Sequence, residues 1–392
     1  MKWGKLVWVL LALLLAVIIT ACSDKEPEKT AELENEETTE PKEPAEPKEP
    51  KEPEVVHQEI TLSAIGDMLI HSSVYKDAQT ANGYDFMPML ERVKPFLNDT
   101  TITFANQETM IGGKQLGLST YPRFNSPYAV GDALKNLGVD VVSLANNHTL
   151  DGGEEAIQSA IEHWENIDMM YTGAYKSEAD SDKLRVYETD EGISVAFLAY
   201  TYGTNGLPVP EGKDYLVNLI DKELMASRIQ EAKKQADAVV LSMHFGNQYE
   251  RLPSDRQKEL VQFAADSGVD VVLGHHPHVL QPIDWVEGSN GNKTLVAYSL
   301  GNFLSGQDEF YRRIGGIFKF TIHKTIKGET ETVEVKSPKL MPTFVKYSNW
   351  ANYQVAPMYQ LTNEELANAE KHYQEIKDHM SQWVPELEFI EE

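Results

Sequence analysis

Only one cysteine, Cys22, occurs in 392 residues. A sole thiol excludes an internal disulfide and any thiolate-built metal cluster, so support must come from an apolar core and metal chemistry from nitrogen and oxygen donors. Positive charge is scarce as well: 35 Lys and Arg face 61 Asp and Glu, for a formal charge of -26. Residues 23 to 60 hold 14 of the acids against 5 lysines, and the excess continues through the rest of the chain. An acidic body argues against the basic face that nucleic acid requires, so no nucleic-acid partner is expected. An anionic substrate would have to be met by metal cations or local arginines. Long apolar runs are confined to Leu6–Ile19, about 21 Å as a helix and short for a hydrocarbon core of roughly 30 Å.

That run follows Lys2 and Lys5 and ends in Ile19-Thr20-Ala21-Cys22. It has the layout of a signal peptide over residues 1–22, and its end resembles a bacterial lipobox, which implies a thioether-linked lipid on Cys22 after cleavage. The expected location is the cell membrane, with the protein lipid-anchored on its extracytoplasmic face. Residues 23–57 are dominated by Glu, Lys, Pro and Thr, with Lys-Glu-Pro repeated at 42–44, 48–50 and 51–53. They carry too few apolar side chains to offset the entropy of ordering and read as a disordered tether.

Strand and helix patterns then alternate. Strands are expected over 60–65, 101–104, 139–144, 195–200, 238–242, 269–273 and 294–299, and helices over 127–137, 154–166, 221–235 and 254–267. Two helices end alike, in Leu137-Gly138-Val139-Asp140 and Ser267-Gly268-Val269-Asp270, each with glycine placed to reverse the chain into a strand. Near-continuous apolar strands between helices imply sheets covered on both faces, an α/β class. The folded domain is expected over residues 58–345. A capping box at Thr362–Glu365 opens a helical extension over residues 346–392.

The polar residues gather just past the strand ends, where open α/β sheets bind ligands. They are Gly66-Asp67, Asn106-Gln107-Glu108, Asn146-Asn147-His148 with Asp151, His244-Phe245-Gly246, Gly274-His275-His276-Pro277-His278 and Ser299-Leu300-Gly301-Asn302-Phe303. Taken singly each has a structural account as a turn or cap. Taken together they point to one site. In extended geometry residues two apart share a face, so His276 and His278 are expected to converge while His275 faces elsewhere. Carboxylates, amide oxygens and imidazoles without thiolate suit a divalent Mn, Fe or Zn ion, or a pair of ions sharing one carboxylate. His148, beside Asn147, is then placed as a general acid for a leaving oxygen.

These motifs resemble the poly-gamma-glutamate capsule biosynthesis protein CapA family, which is similar to the calcineurin-like metallophosphoesterases. The resemblance implies a four-layer α/β/β/α sandwich and a surface protein that meets an anionic capsule polymer or its membrane synthase. It implies metal ligands at Asp67, Asn147, His244, His276 and His278, with Glu108 or Asn106 in the bridging place, and His148 as the acid. The activity implied is metal-assisted hydrolysis or transfer; the alternative is a polymer-binding or scaffolding subunit. Leu69 stands where the superfamily has a histidine and Asn106 where it has a bridging aspartate, so His71 or Glu108 is expected to complete the set.

Overall fold

The computed structural model describes residues 54–392. The signal segment, Cys22 and the tether up to residue 53 lie outside the described residues. Strand β1 (Val55–Leu69) begins inside the expected tether, because Val55–His57 pair antiparallel with Thr325–Lys327.

β1 is central in a nine-stranded sheet. On one side lie β2 (Ile102–Asn106), β3 (Val141–Ser143) and β4 (Met170–Thr172), all parallel. A second sheet of six holds β5 (Arg185–Glu188), β6 (Ser194–Thr201), β7 (Ala238–His244), β8 (Val271–His275), β9 (Leu280–Glu287) and β10 (Lys293–Leu300), in the order β9-β10-β8-β7-β6-β5. The chain then returns to the first sheet through β11 (Asn302–Ser305), β12 (Ile314–Lys327), β13 (Thr330–Ser348) and β14 (Ala351–Pro357).

Alternation along the strands builds the layers. Leu62, Phe104 and Val141 of the first sheet meet Phe197, Val240, Val271 and Leu273 of the second in one buried layer. The residues out of phase with them face helices. Ile65 and Val142 pack with Leu134 of α1 (Ala129–Asn136) and Ile157, Ile161 and Trp164 of α2 (Gly153–Asn166). Leu198, Val239 and Val272 pack with Ile229 of α3 (Lys222–Gln235) and Leu260 of α4 (Asp255–Asp266). The result is the α/β/β/α sandwich. Helices α3 and α4 start on side-chain caps: Asp221 accepts from the N–H groups of Glu223 and Leu224, and Ser254 forms a reciprocal capping box with Gln257. Gly138 and Gly268 follow α1 and α4 with φ of 89° and 86°, the left-handed step that returns the chain to a strand.

The C-terminal region departs from expectation. Residues 346–392 are no separate extension, because Val345 pairs with Val355 and β14 closes the edge of the first sheet. The hairpin turns at Asn349 and Trp350, with φ of 51° and 60°. Its twist suits the strands, but tryptophan gives no turn signal there. At Thr362 only a single turn forms, with the N–H groups of Glu365 and Leu366 donating to the Thr362 carbonyl. Asn368, at φ 60°, interrupts it, and helix α5 runs over Ala369–Met380. Ile376 and Met380 reach the layer between the sheets.

Candidate metal centre

The site lies where that inter-sheet layer opens at the carboxyl ends of the strands. Asn106 continues the phase of Ile102 and Phe104, His244 that of Val240, and His275 that of Val271 and Leu273, so all three point between the sheets. The register of β1 slips on both sides of Asp67, and such a bulge re-aims a side chain. This phase corrects one expectation: His275 does not face away, because its Nδ1 is 3.3 Å from Asp67 Oδ1. The strand ends at His275, and His276 and His278 follow in a turn with φ of 94° and 59°. They converge through left-handed backbone rather than strand alternation. Each such residue costs on the order of 1–3 kcal/mol, which the surrounding structure must offset.

Two buried groups result. Ligand atoms of Glu108, His244 and His276 lie within 4.8 Å of one another, as do those of Asp67, Glu108 and His278. Glu108 is common to both, with Oε1 3.6 Å from His244 Nε2 and 3.7 Å from His278 Nε2. Glu108, rather than Asn106, thus stands between the two groups. Both its oxygens are buried with no hydrogen-bond donor, an arrangement that is costly for a carboxylate lacking a cation. Burial, then the negative charges of Asp67 and Asp151, hold its carboxyl well above the usual range. Burial pushes Asp67 up too, but hydrogen bonds from His275 and His278 outweigh it and hold the group low. Burial also keeps His244 neutral and pulls His276 down to about 3, and neutral imidazole is the form that binds a metal. Orphaned carboxylate oxygens between neutral imidazoles fit a divalent ion.

The surrounding residues orient this set. His278 Nδ1 lies 3.1 Å from Asn302 Oδ1 and 3.2 Å from Asp67 Oδ2. Two acceptors place the proton on Nδ1 and leave the Nε2 lone pair toward Glu108. Asn106 donates from Nδ2 to Asp67 Oδ1 at 2.8 Å, and its own oxygen is buried and unpartnered. Asn147 Oδ1 lies 2.8 Å from His244 Nε2. His71 stays outside both groups: its Nδ1 accepts from the Gly306 N–H at 3.1 Å, and its ring packs edge-on against Phe124.

His148 borders the centre and is 5% exposed. Its Nδ1 is 2.6 Å from Asp151 Oδ2, which also accepts from the Phe124 N–H, and the Phe124 ring packs edge-on at 4.7 Å. A carboxylate behind an imidazole fixes its orientation and tautomer. Sequence reasoning missed Asn205, whose Oδ1 accepts from Asn147 Nδ2 at 3.1 Å. It sits in a Gly-Thr-Asn-Gly loop at φ 50°, and its only signal was the turn-forming Asn-Gly pair. Tyr202, just past β6, was missed too, because that strand end carries no ionisable ligand.

Comparison with known proteins places this geometry in context. A family model described as bacterial capsule synthesis protein PGA_cap matches residues 61–307. The chain is 31% identical over 214 residues to the "PGA biosynthesis protein CapA" of Bacillus subtilis (strain 168), covering 54% of this chain and 55% of that protein. It is 28% identical over 267 residues to the "Capsule biosynthesis protein CapA" of Bacillus anthracis, covering 64% and 61%. The chain thus spans little more than half the length of the curated relatives it matches. Among solved structures, a calcineurin-like phosphoesterase, YfkN from Bacillus subtilis, aligns over 82% of this chain and 98% of its own at 15% identity, with a TM-score of 0.42.

Proposed function

This chain belongs to the bacterial capsule synthesis protein family PGA_cap, and we propose that it serves capsule-polymer biosynthesis as a metal-dependent hydrolase or transferase. Its relatives are named for the biosynthesis of PGA and of capsule, and the substrate bond proposed is a phosphoester or amide of that anionic polymer or its precursor. One observation carries the reading: Glu108 is fully buried, unpartnered, and set between His244 and His278. Asp67, Asn106, Glu108, Asn147, His244, His276 and His278 would hold one or two divalent ions, which supply Lewis acidity and a bound water of lowered pKa. Asp151 holds His148 through Nδ1, leaving Nε2 to deliver a proton to the leaving atom. The closed layer beneath the site keeps bulk water from its inner side.

Cys22, behind the apolar run and Lys2 and Lys5, supports a lipid anchor on the extracytoplasmic face of the cell membrane. A second reading, a non-catalytic subunit that binds the polymer or its membrane synthase, is favoured by Leu69 and Asn106, which replace stronger ligands.

The test begins with metal content of the purified protein beside His276→Ala and Glu108→Gln variants. Near-stoichiometric transition metal in the parent, lost in the variants, is the expected result. Hydrolysis of a phosphodiester and of a γ-linked glutamate oligomer then follows, with His148→Ala alongside. A parent that takes up no metal when Mn or Zn is supplied refutes the enzyme. Metal without any activity favours the subunit, and activity unaltered in His148→Ala removes the acid.

A further inference from the structure

Two exposed rings stand at the mouth of the metal centre. Tyr202 lies 4.7 Å from the His276 ring and Tyr249 lies 6.1 Å from the His278 ring; they are 49% and 40% exposed. Tyr249 is held in place at φ 70°, with its N–H donating to the Pro277 carbonyl at 2.8 Å. A bulky residue in left-handed backbone signals a position set by something other than local preference.

Arg312 covers Tyr249, with its guanidinium carbon 3.5 Å from the ring centre. Its carbonyl accepts from Asn302 Nδ2 at 2.7 Å, and the same Asn302 contacts His278 through Oδ1. Arg312 is therefore one side chain away from the ligand set by two routes. Its neighbours are committed to the fold: Arg251 pairs with Glu375 at 2.7 Å, and Arg313 Nε donates to the Val345 carbonyl at 2.9 Å. Arg312 is not. Its Nη2 meets the exposed Glu309 at 3.0 Å, and its Nε is buried with no acceptor. An exposed ion pair is weak and readily exchanged.

We propose that Arg312, stacked on Tyr249, forms an anion subsite beside the metal centre that takes a carboxylate or phosphate of the substrate. The carboxyl groups of Asp67 and Glu108 at the centre and a formal charge of -26 disfavour an anionic chain, so attraction has to be local. A guanidinium held over a ring presents its N–H fork to planar or tetrahedral oxyanions with little entropy to lose. The subsite deepens the function proposed above and rests on it for its place beside a reacting bond. Binding of the anion itself does not require the metal.

The experiment is calorimetric titration of the whole protein with inorganic phosphate and, separately, a γ-linked glutamate trimer, with metal present and after chelation. Arg312→Ala, Arg312→Lys and Tyr249→Ala are compared with the parent, and metal content and melting are recorded for each. Arg312→Ala is expected to weaken binding to the chelated protein about tenfold or more. Arg312→Lys, which keeps charge without the fork, falls between. Metal content and melting stay at the parent's values. Phosphate alone sensitive to Arg312 assigns a phosphoryl group; the trimer sensitive assigns a carboxylate. Equal affinity in parent and Arg312→Ala for both probes overturns the subsite, as does a parent that binds neither. Arg312-dependent binding in a protein that holds no metal would sink the enzyme and leave the subsite standing.

Discussion

His278 owes its orientation to Asn302, which contacts its Nδ1 and donates to its carbonyl at 3.4 Å. Asn302→Ala is expected to weaken metal affinity roughly 10- to 100-fold, read by competition with a chelating dye. His276 makes a prediction of opposite kind. Its folded pKa is depressed from 6.5 to about 3, so below 6.5 the unfolded chain binds a proton that the folded chain refuses. Stability from this group is full above 6.5 and is lost as the pH falls toward 3. Denaturant melts of the chelated parent should therefore weaken on acidification more than those of His276→Gln; equal slopes would contradict the assignment. Most of the centre was readable as residue types at strand ends. The sharing of Glu108 was not, because it lies two residues beyond β2 and only the docking of the second sheet brings His244 and His278 to it. The placement of His275 was readable, since Val271 and Leu273 set its phase, but the turn after it was mistaken for more strand.

At the scale of elements, the seven expected strands and the four helices from 127 to 267 lie within about five residues of their expected ends, whereas Met170–Thr172, Arg185–Glu188, Leu280–Glu287 and the long pair Ile314–Lys327 and Thr330–Ser348 were not anticipated. What alternation could not carry was left-handed backbone at His276, His278, Asn349 and Trp350, since Asn and His only favour that region weakly and tryptophan gives no sign of it. Gly274 shows how tightly the elements join. A Cβ there would stand 2.0 Å from the Tyr298 carbonyl oxygen, on the neighbouring strand β10. Gly274→Ala forces β8 away from β10, and the strain is expected to cost about 1–3 kcal/mol or more. Urea unfolding measures it, and loss of metal should accompany it because the displaced strand carries His275 and leads into His276.

The α/β class with covered sheets was legible in the near-continuous apolar strands, and the four-layer order came only with the family resemblance. The closing edge was not legible, since β14 is marked by a turn its residues do not advertise. Removing residues 349–392 strips β14 from the first sheet and takes Ile376, Met380 and Val384 out of the buried layer. Each large apolar side chain lost from a core costs about 2–5 kcal/mol when cut to alanine. The truncated protein should be insoluble or lack a cooperative melt in calorimetry, and a melt like the parent's would show the region to be dispensable. The division of the ligands between sheets has a consequence for biosynthesis. Asp67, Glu108 and Asn147 are translated long before His244, His276 and His278, and Asn302 comes later still. A partly made chain therefore offers carboxylates and amides but no imidazole from the second sheet. For the proposed metal centre, such a chain could not discriminate a softer divalent ion from the abundant hard ions, because that discrimination needs the imidazoles of the second sheet. On the proposed function, the metal would therefore be chosen only where the two sheets finally close.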